Sequence, residues 1–192
     1  KEYQYARFEN GAVVTTAPAA TTTTAAPVLP VTKMAELNTN EHGQGIAIAM
    51  PVEDNKEYTF SFDYYICPDS TAQVRGIFFA GGYLGILDDS TVTVSSQDRV
   101  LTMDGAVHNC TMTLTTGTGA AALAWYRIPA VQQNGPGTAH AYIWNMKITE
   151  KANAIATVVA DFSRAGAVSG WDFGNPAAAT LVNYDESKFI PN

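Results

Sequence analysis

Residues 51–66 constrain the fold more than any other stretch. A polar turn, 51–56, leads into a segment whose residues alternate by face. Tyr58, Phe60, Phe62, Tyr64 and Ile66 share one parity, while Thr59, Ser61, Asp63 and Tyr65 share the other. A helix would scatter these aromatics around its axis. Period two gathers them on one side, which is what a half-buried antiparallel strand requires.

The rest of the chain repeats the theme. Further strands are expected at 3–8, 45–50, 74–80, 83–87, 108–115, 120–128 and 140–149. The segments 91–95 and 100–103 read as hairpin arms, and Asp104 with Gly105 reads as a tight hairpin turn. Glu9-Asn10-Gly11, Pro68 to Thr71, Gly81-Gly82 and Asp88 to Ser90 supply turn chemistry. Many short strands and no long helical period predict an all-β protein, a two-sheet antiparallel β-sandwich. The Ala/Thr/Pro-rich stretch 13–30 is expected to cross the sandwich as an edge segment, since proline is tolerated on edges.

At 192 residues the chain suffices for one such domain. The hydrophobic share is 46%, ample for a core, and only 15% of residues are charged. A surface low in charge and rich in Thr, Ser, Asn and Gly suits sugars, walls or sister subunits. The net charge of −7, with no run of basic residues, argues against nucleic acid and against an anionic membrane surface. No apolar run reaches spanning length, so no membrane insertion is expected. The chain opens at Lys1 without a signal peptide, as a mature secreted chain or an excised fragment would, so a secreted or cell-surface location is expected. Two cysteines occur. Cys67 continues the Tyr65 parity and Cys110 the Met112 and Leu114 parity, which leaves open a disulfide or two separate small hydrophobes.

Several of these strands resemble a known group. Val52 to Tyr64 looks like a characteristic strand of jelly-roll carbohydrate-binding modules, the family 4/22-like group. Asp104 to His108 with Thr111 to Thr115 resembles the following strand in those modules and in laminin-G-like, concanavalin-type domains. Phe8-Glu9-Asn10-Gly11 resembles their opening, and Tyr142 to Ile148 their closing strand. The resemblance covers residues 1–150 and implies a jelly roll that binds a polysaccharide or glycan. It also implies a structural calcium. The acidic pair of the closing strand is replaced here by Trp144 and Asn145, which leaves Glu9 and Asn145 as the oxygen ligands. Residues 151–192 are then an extension docking on the sandwich edge or on a neighbouring subunit. The apolar segment 154–160 within it must pair with a sheet edge to avoid aggregation.

No reaction is written into the chain. Asp88-Asp89 lies in a turn, no strand carries facing carboxylates at glycosidase spacing, and no nucleophile elbow or phosphate loop occurs. The chain is therefore expected not to be an enzyme. His42, His108 and His140 have no ligand at zinc-motif spacing, so no zinc site is expected. Sugar binding needs exposed aromatics beside amides, carboxylates or guanidines. Trp144 shares parity with Tyr142, Met146 and Ile148 and reads as core. Asp63, Tyr65, Arg75, Tyr126 and Arg127 form the expected ligand-binding set, on a face away from the core. The alternative function is a filament, capsid-decoration or adhesin subunit that self-associates through the C-terminal strand.

Overall fold

The computed structural model describes residues 7–9, 12–14, 30–51, 53, 55–80, 97–115, 123–131, 137–150, 158–160, 162, 171–174 and 177–189. Its strands are β1 Arg7–Glu9, β2 Ala12–Val14, β3 Lys33–Thr39, β4 Gly45–Pro51, β5 Glu57–Ile66 and β6 Gln73–Ala80. They continue as β7 Gln97–Val100, β8 His108–Thr115, β9 Leu123–Val131, β10 Ala139–Glu150, β11 Val158–Ala160, β12 Trp171–Asp172 and β13 Ala179–Asn183. A 3-10 turn, Glu186–Phe189, follows β13. Among the described residues no helix is long and apolar enough to cross a membrane.

The protein is all-β and its strands pair antiparallel. One sheet runs β13-β3-β10-β5-β8, with β11 also on β10; the other runs β12-β4-β9-β6-β7; β1 pairs with β2. The alternation of β5 sets the inner face of the first sheet. Phe60 and Phe62 are fully buried, and Tyr58, Tyr64 and Ile66 nearly so. They join one core with Leu37 of β3, Ile46 and Ile48 of β4, Val74 of β6, Met112 of β8, and Ile128 of β9. Both sheets contribute to this core. They pack tightly at Gly76, where a Cβ would stand 3.2 Å from Met112 Cε and 3.2 Å from Phe62 Cζ.

The strand β10 departs from simple alternation. Its pairing with β5 slips between Trp144 and Lys147, and Asn145 takes a φ of 50°. This one-residue bulge reverses the parity of everything beyond it. Ala141, Ile143, Met146 and Ile148 therefore face the core, while Tyr142 and Trp144 fall on the opposite face. The expectation that Trp144 shares a face with Met146 and Ile148 is corrected.

Other expectations shift as well. Asp104 and Gly105 close no hairpin. They carry the chain from β7 in one sheet to β8 in the other, with Gly105 at a φ of 76°. The strand expected at 100–103 ends at Val100. Those expected at 83–87 and 91–95, and most of the stretch 13–30, lie outside the described residues. Cys67 and Cys110 are both buried and free, on opposite faces of the first sheet. A bridge through the sheet is sterically impossible without rebuilding it.

The C-terminal residues pair within the chain. β11 lies on β10, β12 on β4, and β13 on β3. β12 and β13 thus extend edges of the two sheets, which answers the hazard that an open edge poses, while β11 pairs with the far end of the interior strand β10. β13 then leads Tyr184 and Phe189 across the outer face of the first sheet.

Candidate functional site

That outer face reads in rows, because neighbouring strands are in register. One row holds Thr180, Glu36, Tyr142 and Tyr65. Next come Trp144, Asp63 and Asn109, then Lys147, Ser61 and Thr111, then Thr149, Thr59 and Thr113. The face changes character along these rows, from aromatic to hydroxyl and amide.

The aromatic part is covered. Met34, Tyr65, Cys67, Tyr142 and Trp144 form a second, smaller core beneath Val182, Tyr184 and Phe189. Phe189 lies flat on Trp144, with ring centroids 4.4 Å apart and planes 10° apart. Tyr65 is 1% exposed and touches Phe189, its centroid 5.6 Å away. Burial pushes the Tyr65 phenol up from its ordinary value. Tyr65 is thus a packing residue.

The polar part is open. The Asp63 carboxylate accepts from the Asn109 amide at 2.7 Å and from the Asn145 amide at 2.9 Å. Thr111 donates to Asn109 Oδ1 at 2.8 Å. Asn109 and Thr111 are exposed, Asp63 and Asn145 partly so. Half-buried Tyr184 borders the strip against Trp144. Its phenol is pushed up by burial, then by Glu186, with Asp63 adding a further share. The arrangement offers a carboxylate with unused lone pairs, two fixed amides, a hydroxyl and one aromatic edge. These groups can hydrogen-bond the hydroxyls of a ligand.

A third zone lies where β5 ends and β10 begins. Cys67, Asp69 and His140 bring a thiol, a carboxylate and an imidazole within 4.8 Å of one another. His140 Nδ1 stands 2.9 Å from Asp69 Oδ1, and Nε2 stands 3.3 Å from Glu36 Oε1. Tyr142 donates to the same Glu36 oxygen at 2.9 Å. The Tyr142 phenol is held far up by burial and by that bond. Burial, with Asp69 and Glu36 adding to it, pushes the Cys67 thiol up to about 12. His140 has no ligand-type partner along its own segment, as the sequence spacing showed, yet it meets ligand-type groups across strands. The partner comes from the neighbouring strand, where the Cys67 N–H donates to the His140 carbonyl at 2.9 Å.

The five residues expected to bind ligand do not converge. Asp63 and Tyr65 belong to the first sheet, whereas Arg75, Tyr126 and Arg127 belong to β6 and β9 of the second. Arg75 is partly exposed and pairs with Val100 of β7. Tyr126 and Arg127 are successive positions of β9, and successive positions serve opposite faces. Of the set only Asp63 stands on the open polar strip. Asn109, Thr111 and Tyr184 were missed; alternation on β8 could have found the first two.

Of the expected calcium ligands, Glu9 ends β1, and its side chain lies outside the described residues. Asn145 turns its amide nitrogen toward Asp63 at 2.9 Å. Asn145 braces the bulge of β10.

Comparison of the chain with protein-family models, with curated proteins and with solved structures gave no match.

Proposed function

We propose that the chain is a non-catalytic carbohydrate-binding β-sandwich of jelly-roll type, acting outside the cell or at its surface as part of a larger protein. The ligand lies on the outer face of the first sheet, along Asp63, Asn109, Thr111 and Asn145, with Tyr184 at its border. One observation carries the reading: the Asp63 carboxylate fixes two amides on an open, hydroxyl-rich sheet face beside a half-exposed tyrosine. Such preset groups lose little freedom when they bind a sugar. Two antiparallel sheets sharing one core support the sandwich.

Affinity electrophoresis on β-glucan, xylan, mannan and starch tests the proposal. The expected result is retardation on at least one polymer, weakened roughly ten- to hundredfold by Asp63→Ala, since a hydrogen bond to a charged group is worth about 1.5–3 kcal/mol. No retardation on any of them refutes it.

A second reading has one observation in its favour. Val100 and Met103, each 53% exposed, flank an apolar cleft of about 150 Å³ that reaches Ile66, Val74 and Leu101. An assembly subunit would use such a patch. Electron microscopy at rising concentration would then show ordered oligomers, and discrete monomers throughout would remove that reading.

A further inference from the structure

We propose that Cys67, Asp69 and His140 form a zinc site, with Glu36 as the carboxylate that orients the histidine. The reasoning begins with donor chemistry. A thiolate and an imidazole select zinc-type ions over calcium or magnesium, which take oxygen. One thiolate and one carboxylate neutralise a dication.

Geometry follows. Zinc bonds of about 2.0–2.3 Å set tetrahedral donor separations of roughly 3.3–3.8 Å. The three donors already lie within 4.8 Å of one another, so side-chain movement of about 1 Å closes the site. His140 Nδ1 faces both Asp69 oxygens, at 2.9 and 3.0 Å, and an ion would take the place of that contact.

The surroundings are those of a metal ligand. His140 Nε2 faces Glu36 at 3.3 Å, so that with a metal in place of the Nδ1–Asp69 contact Glu36 would accept the Nε2–H and leave the Nδ1 lone pair to the ion. Tyr142 in turn holds Glu36. The backbone is pinned as well. The Ser70 N–H donates to the Cys67 carbonyl at 2.9 Å, and the His140 N–H donates to Ser70 Oγ at 3.2 Å. Cys67 and Asp69 come from this one turn and His140 from the adjoining strand. A surface ion pair of His140 with two carboxylates explains Asp69 and Glu36, and the second core takes Cys67 as a small hydrophobe, but neither accounts for thiol, imidazole and carboxylate atoms converging at one point. On binding, the thiol gives its proton to solvent and its sulfur lone pair to the metal, while a fourth tetrahedral position is left to water or another ligand atom.

The test uses the reduced full chain and cobalt(II) as a coloured stand-in for zinc. The expected result is sulfur-to-cobalt charge-transfer absorption in the near ultraviolet with intense tetrahedral visible bands, both lost when zinc is added. Cys67→Ser abolishes the charge-transfer band, and Cys110→Ala leaves it unchanged. Glu36→Gln keeps it but weakens affinity about 10- to 100-fold. Asp69 is 71% exposed, so Asp69→Asn folds regardless and must also weaken binding. No cobalt spectrum and no zinc uptake by the wild type overturns the proposal. So does a band that survives Cys67→Ser, or unchanged affinity in Asp69→Asn.

Discussion

Replacing Phe189 by alanine removes the keystone of the outer-face cluster. The ring stacks on Trp144 at 4.4 Å and tilts against Tyr65 at 5.6 Å, Tyr184 at 5.9 Å and Tyr142 at 6.0 Å. A fully buried Phe→Ala change costs about 3–5 kcal/mol. Phe189 is only partly buried, so about half of that applies, roughly 2 kcal/mol. Loss of the stacked Trp144 pair adds about 0.5–1.5 kcal/mol. The sum, about 3 kcal/mol, lowers the melting temperature of a chain this size by about 6–12 °C. Thermal unfolding followed by tryptophan fluorescence reads both consequences at once. Trp144, now 5% exposed, meets water in the variant, so native-state emission shifts to the red. Phe189→Leu restores most of the stability without the stacking. An unchanged melting temperature together with unchanged emission refutes the reasoning, because Phe189 would then cover nothing.

Three further outcomes are expected. Gly76→Ala costs about 1–3 kcal/mol in urea unfolding, because the added methyl group presses on Phe62 and Met112 where the sheets meet; a neutral change would mean that the sheets separate freely there. Asn145→Gly keeps the bulge, whereas Asn145→Val costs about 1–2 kcal/mol for its positive φ, read by the same unfolding curves. Asp104 is held below the usual carboxylate range by its bond to His108, at 2.7 Å, and by the Ala106 N–H. A depressed carboxyl stabilises above its unfolded pKa and loses that effect as pH falls through its folded one. Asp104→Asn is therefore less stable than wild type at neutral pH, and the difference vanishes at strongly acidic pH; a difference that persists there would assign it to packing.

How far the fold was legible depended on the element. β5 could be read because its two faces meet different surroundings, core and outer face, and its residues alternate without interruption. β10 could be read only as far as Trp144, since a single extra residue at Asn145 reverses parity and leaves no compositional mark. β3 was missed. Its Lys, Met, Ala, Glu and Leu favour helix by propensity, yet it sits between β13 and β10, where tertiary pairing outweighs propensity.

The candidate site shows the same limit. Parity put Tyr65 on the side away from the core, which is where it lies, but parity does not say what covers that side. The cover arrives from residues 182–189, far along the chain. The cluster of Cys67, Asp69 and His140 escaped because ligand spacing was sought along one segment. The clue was present in the antiparallel order: a strand that ends at Ile66 and one that begins at Ala139 bring their termini together.

The central claim is that the polar half of the first sheet's outer face binds a glycan. Amide and side-chain NMR shifts recorded during titration with an oligosaccharide of a retained polymer test it most directly. The account predicts that the largest changes fall on the Asn109 and Asn145 side-chain amides and on the Asp63 and Thr111 backbone amides, with Tyr184 ring signals moving alongside. Shifts confined to β6, β7 and β9, or none at saturating sugar, would contradict it.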